Sequence, residues 1–178
     1  RLRVRIYPDR KSMGEAAAAD IAAAIRRVLA EKECCNMIFA AAPSQNEVLA
    51  ALAADKTVDF ARINAFHMDE YCGLAPSAPQ GFGNFLRAAI FEKAPFRSVH
   101  YLNGNAVDIP AECARYGALL EAFPTDIVCL GIGENGHIAF NDPPVANFRD
   151  PVLCKQVALD PVCREQQVHD GCFSALEQ

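Results

Sequence analysis

Ile63-Asn64-Ala65-Phe66-His67-Met68-Asp69-Glu70-Tyr71 decides the fold: a short, mostly apolar run that passes without a break into two carboxylates. A run of this length and composition reads as a strand buried on both faces, as in a parallel sheet. The pattern recurs in Met37-Ile38-Phe39-Ala40-Ala41 and in Asp126-Ile127-Val128-Cys129-Leu130, the latter delivering the chain into Gly131-Ile132-Gly133. In each case an apolar strand leads into a loop of polar residues and glycines.

The segments between these strands read as helices. Residues 14–32 are rich in Ala, with Ile21, Ile25, Val28 and Leu29 spaced for one apolar face. Ser44-Gln45-Asn46-Glu47 has capping-box spacing and predicts the start of a helix through Val48, Leu49, Leu52 and Ala53. Further helices are expected over 84–92 and over 110–123, the second with Pro110 in its first turn. A strand is expected over 98–102, and the alternation of Leu2, Val4 and Ile6 with arginines predicts another that ends at Pro8. Strands separated by helices imply one α/β domain over 1–178, a doubly wound, mainly parallel sheet with helices on both faces. Right-handed crossovers then bring the carboxyl ends of the strands to one edge, where open α/β sheets bind ligands.

The 178 residues, 52% hydrophobic and 22% charged, are enough for one packed core. A net charge of -5 argues against nucleic acid, because phosphate backbones are bound by clustered Lys and Arg. A small phosphate is still acceptable, since backbone N–H groups at a helix start supply local positive potential whatever the net charge. The eight cysteines form no CxxC pair and no zinc-type spacing, so most of them are expected as reduced, small buried hydrophobes in a cytoplasmic protein. No apolar run approaches a membrane span, and self-association into a homo-oligomer is compatible with the sequence.

Two strand ends carry the chemistry. Asp69 and Glu70 follow one strand, and His137 with Asp142 follow another, all on the edge expected to hold the site. Gly131-x-Gly133-x-x-Gly136 resembles a dinucleotide fingerprint, but no long helix follows and no acidic strand end stands about 20 residues on, so a nicotinamide cofactor is not expected. The glycines instead free the loop to wrap a small ligand.

Phe66-x-Met68-Asp69-Glu70-Tyr71-x-Gly73-Leu74, with Gly131-Ile132-Gly133-x-Asn135-Gly136-His137-Ile138-Ala139-Phe140-Asn141-x-Pro143, resembles the glucosamine-6-phosphate deaminase family. Leu102-Asn103-Gly104-Asn105-Ala106 and Ala111-Glu112-Cys113 extend the likeness, which runs from about residue 36 to the end. Related 6-phosphogluconolactonases share the Asp-Glu and Gly-His elements but continue differently after the histidine. The resemblance implies a Rossmann-like sheet, no metal, no organic cofactor, and conversion of glucosamine 6-phosphate and water to fructose 6-phosphate and ammonia. It implies Asp69 as the base that carries a proton between C2 and C1, and His137 with Asp142 as the ring-opening pair. Asn135 stands where some members carry an Asp of that relay.

The phosphate half departs from the family pattern. Ser44-Gln45-Asn46-Glu47 replaces a Gly-rich Thr/Ser loop, and Glu47 is expected to fold back as a cap so that Ser44, Gln45 and backbone N–H groups can meet the anion. Glu70, Gly133, Gly136, Lys155, Arg164 and His169 complete the expected substrate contacts, with Lys155 read equally well as a solvated residue at a strand edge. The family also continues beyond Gln178, so the chain is expected to lack C-terminal strands. Lactone hydrolysis and ligand sensing without turnover are the alternative functions.

Overall fold

The computed structural model describes residues 2–169, 171, 173 and 174. Four parallel strands, β1 (Cys35–Phe39), β2 (Ile63–His67), β3 (Ser98–His100) and β4 (Ile127–Cys129), stand in the order β3-β2-β1-β4. The helices are α1 (Arg10–Glu31), α2 (Asn46–Ala54), α3 (Phe82–Leu86), α4 (Ile109–Ala122) and α5 (Pro161–His169). This is the doubly wound α/β sheet that the strand pattern predicts, with the direction of strand progression reversing between β1 and β4. Such a reversal opens a crevice at the carboxyl ends of the two strands.

Alternation along the strands sends one set of side chains to each face. Cys35, Met37 and Phe39 of β1 and Ile63 and Ala65 of β2 enter a core with Ala18, Ala22 and Ile25 of α1 and Leu49 and Leu52 of α2. The π-helical turn Arg87–Phe91 that continues α3 adds Ile90 and Phe91, the latter edge-on to Phe39 at 5.6 Å. On the opposite face Phe66 packs against Tyr116 of α4 and against Phe123, both with ring centroids 5.9 Å away.

A polar row on that second face fixes the register. Asn36 pairs with Asn64 across β1 and β2, and Asn64 with Ser98 across β2 and β3. The side chains follow: Asn64 Nδ2 donates to Asn36 Oδ1 at 2.9 Å, Ser98 Oγ donates to Asn64 Oδ1 at 2.7 Å, and Asn36 Nδ2 donates to the Pro124 carbonyl at 3.0 Å. Buried amides are tolerated when bonded in this way, and a slip by one residue would strand each of them among apolar groups.

Several expected boundaries shift. Helix α1 starts at Arg10 because the Asp9 carboxylate accepts from the Ser12 N–H at 2.7 Å. Strand β3 stops at His100 rather than at residue 102. Strand β4 is shorter than expected at both ends, and at its start Asp126 turns its carboxylate to the Asn36 N–H and to Lys32. Leu2, Val4 and Ile6 form no strand: alternation needs a neighbouring backbone to pair with, no described strand lies beside them, and Ile6 is 92% exposed. The capping box is absent too. Asn46 opens α2 after the 3-10 turn Pro43–Gln45, and no side chain caps it.

Asn64→Ala is expected to leave the Ser98 hydroxyl and the Asn36 amide without their partner, destabilising the protein by about 2 kcal/mol in urea unfolding. Ser98→Ala, which removes one donor at the end of the row, is expected to cost less.

Candidate functional site

Four loops leave the carboxyl edge, and those after β1, β2 and β4 carry most of the expected site residues. Strand β2 delivers Asp69, and its end is pinned by α4: Tyr116 Oη donates to the His67 carbonyl at 2.8 Å and accepts from the His67 N–H at 3.1 Å. His67 is itself buried and neutral. Its Nε2 accepts from the Leu102 N–H at 2.7 Å, and burial lowers its pKa to about 4. Asp69 is partly buried at the floor of a cavity of about 680 Å³, a volume suited to a small ligand. Burial, with the Glu70 charge beside it, raises its pKa from 3.8 to about 7.

Glu70, expected to touch substrate, has a structural task. Its Oε1 accepts from the Phe82 and Tyr71 N–H groups at 2.9 and 3.0 Å, and its Oε2 accepts from the Gly83 N–H at 2.8 Å. The carboxylate therefore caps the first turn of α3 and holds the loop after β2 to it. Gly104 packs against the same loop, where an added Cβ would lie 1.9 Å from the Tyr71 carbonyl oxygen.

The loop after β4 folds around His137. The Asn135 oxygen faces two donors, the His137 N–H at 3.1 Å and the ring Nδ1 at 2.6 Å, while the Asn135 Nδ2 donates to Asp142 Oδ1 at 3.1 Å. An amide oxygen only accepts, so Nδ1 carries the imidazole proton and Nε2 is left as a base. Asp142 Oδ1 lies 3.2 Å from the same Nδ1. Asp142 is only 1% exposed, and its Oδ2 accepts from the Asp160 N–H at 3.0 Å. Gly133 makes room for this arrangement, because a Cβ there would sit 2.1 Å from the imidazole. The loop also bends through Gly136 at φ 85° and Ala139 at φ 53°, the latter a left-handed backbone that a residue with a Cβ adopts at some cost.

Aromatic contacts bind the two loops together. Tyr71 meets Phe82 at 4.7 Å and Phe140 at 5.3 Å, and its hydroxyl donates to Gln167 Oε1 of α5 at 2.6 Å. Helix α5, which no sequence expectation named, thereby carries Arg164 to the cavity wall and sets Cys163 behind His137. The Cys163 thiol is raised to about 11 by burial, with the Asp142, Asp160 and Asp69 charges adding to the effect, so Asp69 and the histidine cluster share this neighbour.

The remaining expected contacts divide. Asp69, Glu70, Lys155 and Arg164 line the large cavity, whereas His137, Asp142, Asn135, Ser44, Gln45, Gly133, Gly136 and His169 are not part of its lining. Ser44 and the buried Gln45 lie against Gly131, each 3.5 Å from where a Cβ would be. Glu47 is held away from them by Arg10, whose Nε and Nη2 donate to its carboxylate at 3.0 and 2.8 Å. That ion pair, not the expected cap, holds the Glu47 carboxylate. Lys155 is neither a free phosphate ligand nor a strand-edge residue: its Nζ donates to Asp150 at 2.5 Å and to the Val145 carbonyl at 3.3 Å. His169 is exposed in the last turn of α5, where a basic group suits the helix end.

Of the seven described cysteines, Cys35, Cys129 and Cys163 are buried, Cys34, Cys113 and Cys154 are partly buried, and Cys72 is exposed. Cys172 lies outside the described residues.

Fold and site together define an open parallel α/β protein whose acid–base residues stand on loops at the carboxyl edge of its sheet. Residues 8–149 match the family described as glucosamine-6-phosphate isomerases/6-phosphogluconolactonase, and the chain belongs to it. It is 43% identical over 86 residues to a glucosamine-6-phosphate deaminase of Lactobacillus delbrueckii subsp. bulgaricus, a match covering 48% of this chain and 37% of the relative. To glucosamine-6-phosphate deaminase 1 of Giardia intestinalis it is 42% identical over 110 residues, covering 60% of this chain and 41% of the relative. The chain thus spans less than half the length of these curated relatives. A solved structure of a monomeric glucosamine-6-phosphate deaminase superposes with a TM-score of 0.86 at 26% identity, covering 99% of this chain and 72% of that one. A 6-phosphogluconolactonase from Thermotoga maritima shares the fold, with a TM-score of 0.68 at 23% identity, covering 76% of this chain and 62% of that one. Among the described residues no helix is long and apolar enough to cross a membrane.

A carboxyl group with a raised pKa binds its proton more tightly in the folded protein. Its contribution to stability is therefore present below 3.8 and is lost as the pH rises through about 7. Asp69→Asn imitates the protonated form. It is expected to be more stable than the parent at pH 8.5, on the order of 2 kcal/mol in urea unfolding, and to show little difference at pH 4.

Proposed function

We propose that the chain carries the acid–base machinery of an amino-sugar-phosphate isomerase and deaminase, converting glucosamine 6-phosphate and water to fructose 6-phosphate and ammonia. The observation that carries this reading is the pairing of Asp69, poised near neutrality, with the His137-Asn135-Asp142 relay on the neighbouring loop. The family and the deaminase relatives support it.

Ring opening needs a base at the anomeric hydroxyl and an acid at the ring oxygen. His137 Nε2 can take the first proton and return it to the ring oxygen, while Nδ1–H keeps its bond to Asn135 and the Asp142 charge stabilises the imidazolium. Asp69 then takes the C2 proton, becoming neutral, and gives it to C1, while the amino group loses one proton and the C1 oxygen gains one, leaving an imine at C2. A base with a pKa near 7 suits both halves of that exchange, since it is half ionised at neutral pH and holds the proton without trapping it. Water adds at C2 of the resulting imine and ammonia leaves. Ser44, Gln45 and the backbone around Gly131 supply the phosphate contacts, and Arg164 stands at the wall of the cavity that holds Asp69. On this reading the protein works in the cytoplasm on a sugar phosphate and has no nucleic-acid partner.

The test is ammonia release from glucosamine 6-phosphate by the purified protein. Asp69→Asn is expected to lower kcat by about 1,000-fold or more while retaining the fold. In the parent, kcat/KM is expected to fall as the pH drops below about 7, following protonation of Asp69. Parent-like turnover in Asp69→Asn would remove Asp69 from the role of base. Hydrolysis of 6-phosphogluconolactone without ammonia release would assign the site to the lactonase branch of the family.

A further inference from the structure

Behind the ring-opening histidine lies a buried thiol, Cys163, that the deamination chemistry does not use and that completes a set of metal-ligand atoms. One ligand atom each from His137, Asp142 and Cys163 lie within 4.8 Å of one another, and Asp142 and Cys163 are buried to within 1% of full exclusion. The Nδ1 to Oδ1 separation is 3.2 Å, close to the ligand-to-ligand distance around a tetrahedral zinc ion with bonds of about 2.0 Å.

We propose that His137, Asp142 and Cys163 form a binding site for a borderline-soft divalent cation, Zn²⁺ above all, and that its occupation switches off His137. Three observations carry this. The donor set is one nitrogen, one carboxylate oxygen and one sulfur, a mixture that suits Zn²⁺ and Co²⁺ and is poorly matched to Mg²⁺ or Ca²⁺. The ligands are oriented by their neighbours: the Asp160 N–H donates to Asp142 Oδ2 at 3.0 Å, Asn135 Nδ2 donates at 3.1 Å to the Oδ1 that faces the His137 ring, and Gln167 Nε2 donates to Cys163 Sγ at 3.4 Å. Finally, the three side chains come from two separate segments, the loop after β4 and helix α5, that converge on one spot.

The consequence follows from proton bookkeeping. Zn²⁺ takes the lone pair at Nδ1, so the imidazole proton moves to Nε2 and the contact from Nδ1 to Asn135 is lost. Cys163 binds as thiolate and gives its proton to solvent. With Nδ1 on the metal and Nε2 protonated, the ring can no longer accept a proton from a sugar. This inhibitory consequence rests on the function proposed above; the site itself does not.

Titration of the protein with Zn²⁺ by calorimetry, and with Co²⁺ by absorption, tests it. The expected result is one equivalent bound, a thiolate-to-cobalt charge-transfer band in the near ultraviolet, and loss of ammonia release that a chelator reverses. Cys163→Ser and Cys163→Ala are expected to keep the parent circular dichroism, lose the band, and weaken Zn²⁺ binding at least about tenfold. The band is expected to persist in the double variant Cys113→Ser, Cys154→Ser, which removes two thiols of the large cavity. Absence of the band in the parent, or a band and affinity unchanged by loss of Cys163, overturns the site. Zinc inhibition equally strong in Cys163→Ala overturns the switch. Because binding and spectra are read without turnover, a protein that binds the metal but deaminates nothing contradicts the proposed function and leaves the site standing.

Discussion

The level at which three strands end is what the rest of the molecule depends on. Asn36, Asn64 and Ser98 form a hydrogen-bonded row across β1, β2 and β3, so the strands cannot slide without stranding buried amides in an apolar layer. A fixed register also fixes where each strand stops. Asp69 enters its cavity because β2 ends at His67, where the Tyr116 hydroxyl clasps the last residue of the strand. The loop of His137 begins where β4 ends beside β1, on the other side of the point where the sheet changes direction.

Around that frame, carboxylates of different surroundings take different tasks. Glu70 meets three backbone N–H groups and becomes a cap, whereas Asp69, next to it in sequence, has its charge penalised by burial and becomes a group poised to move protons. Asp142 is buried but bonded on both oxygens, so it orients rather than reacts. Glu47 is turned to Arg10 and leaves the Ser44 loop free of negative charge. Of the cations, Lys155 is matched by Asp150, and α5 carries Arg164 to the cavity wall.

Much of the frame was legible in the sequence because its signals are local. Continuous apolar runs marked β1, β2 and β4, Ala-rich periodicity marked α1, and the passage from strand into Asp69-Glu70 and into Gly131-Ile132-Gly133 marked the loops. Errors arose where a local signal competed with a distant partner. Ser44 to Glu47 has the spacing of a capping box, but Arg10, 37 residues earlier in the chain, offers Glu47 a bidentate partner that the cap cannot match. Leu2, Val4 and Ile6 alternate as a strand should, but pairing requires a neighbour that alternation cannot supply. Helix α5 is mostly polar in composition, and Tyr71 reaching Gln167 ties it to the loop after β2.

Taken alone, the sequence determined the class of fold, the carboxyl edge of its sheet, and the two loops on which Asp69 and His137 stand. These follow from short-range hydrophobic pattern and from the handedness of parallel crossovers, which any chain of this pattern obeys. Only the tertiary structure decided what each charged group does there. Whether a carboxylate is buried or solvated, and which donor reaches it first, depends on residues far apart in sequence: Arg10 with Glu47, Asp160 with Asp142, and Cys163 behind His137. Desolvation and hydrogen bonding are properties of a place in the fold, and a place has no signature in the order of residues.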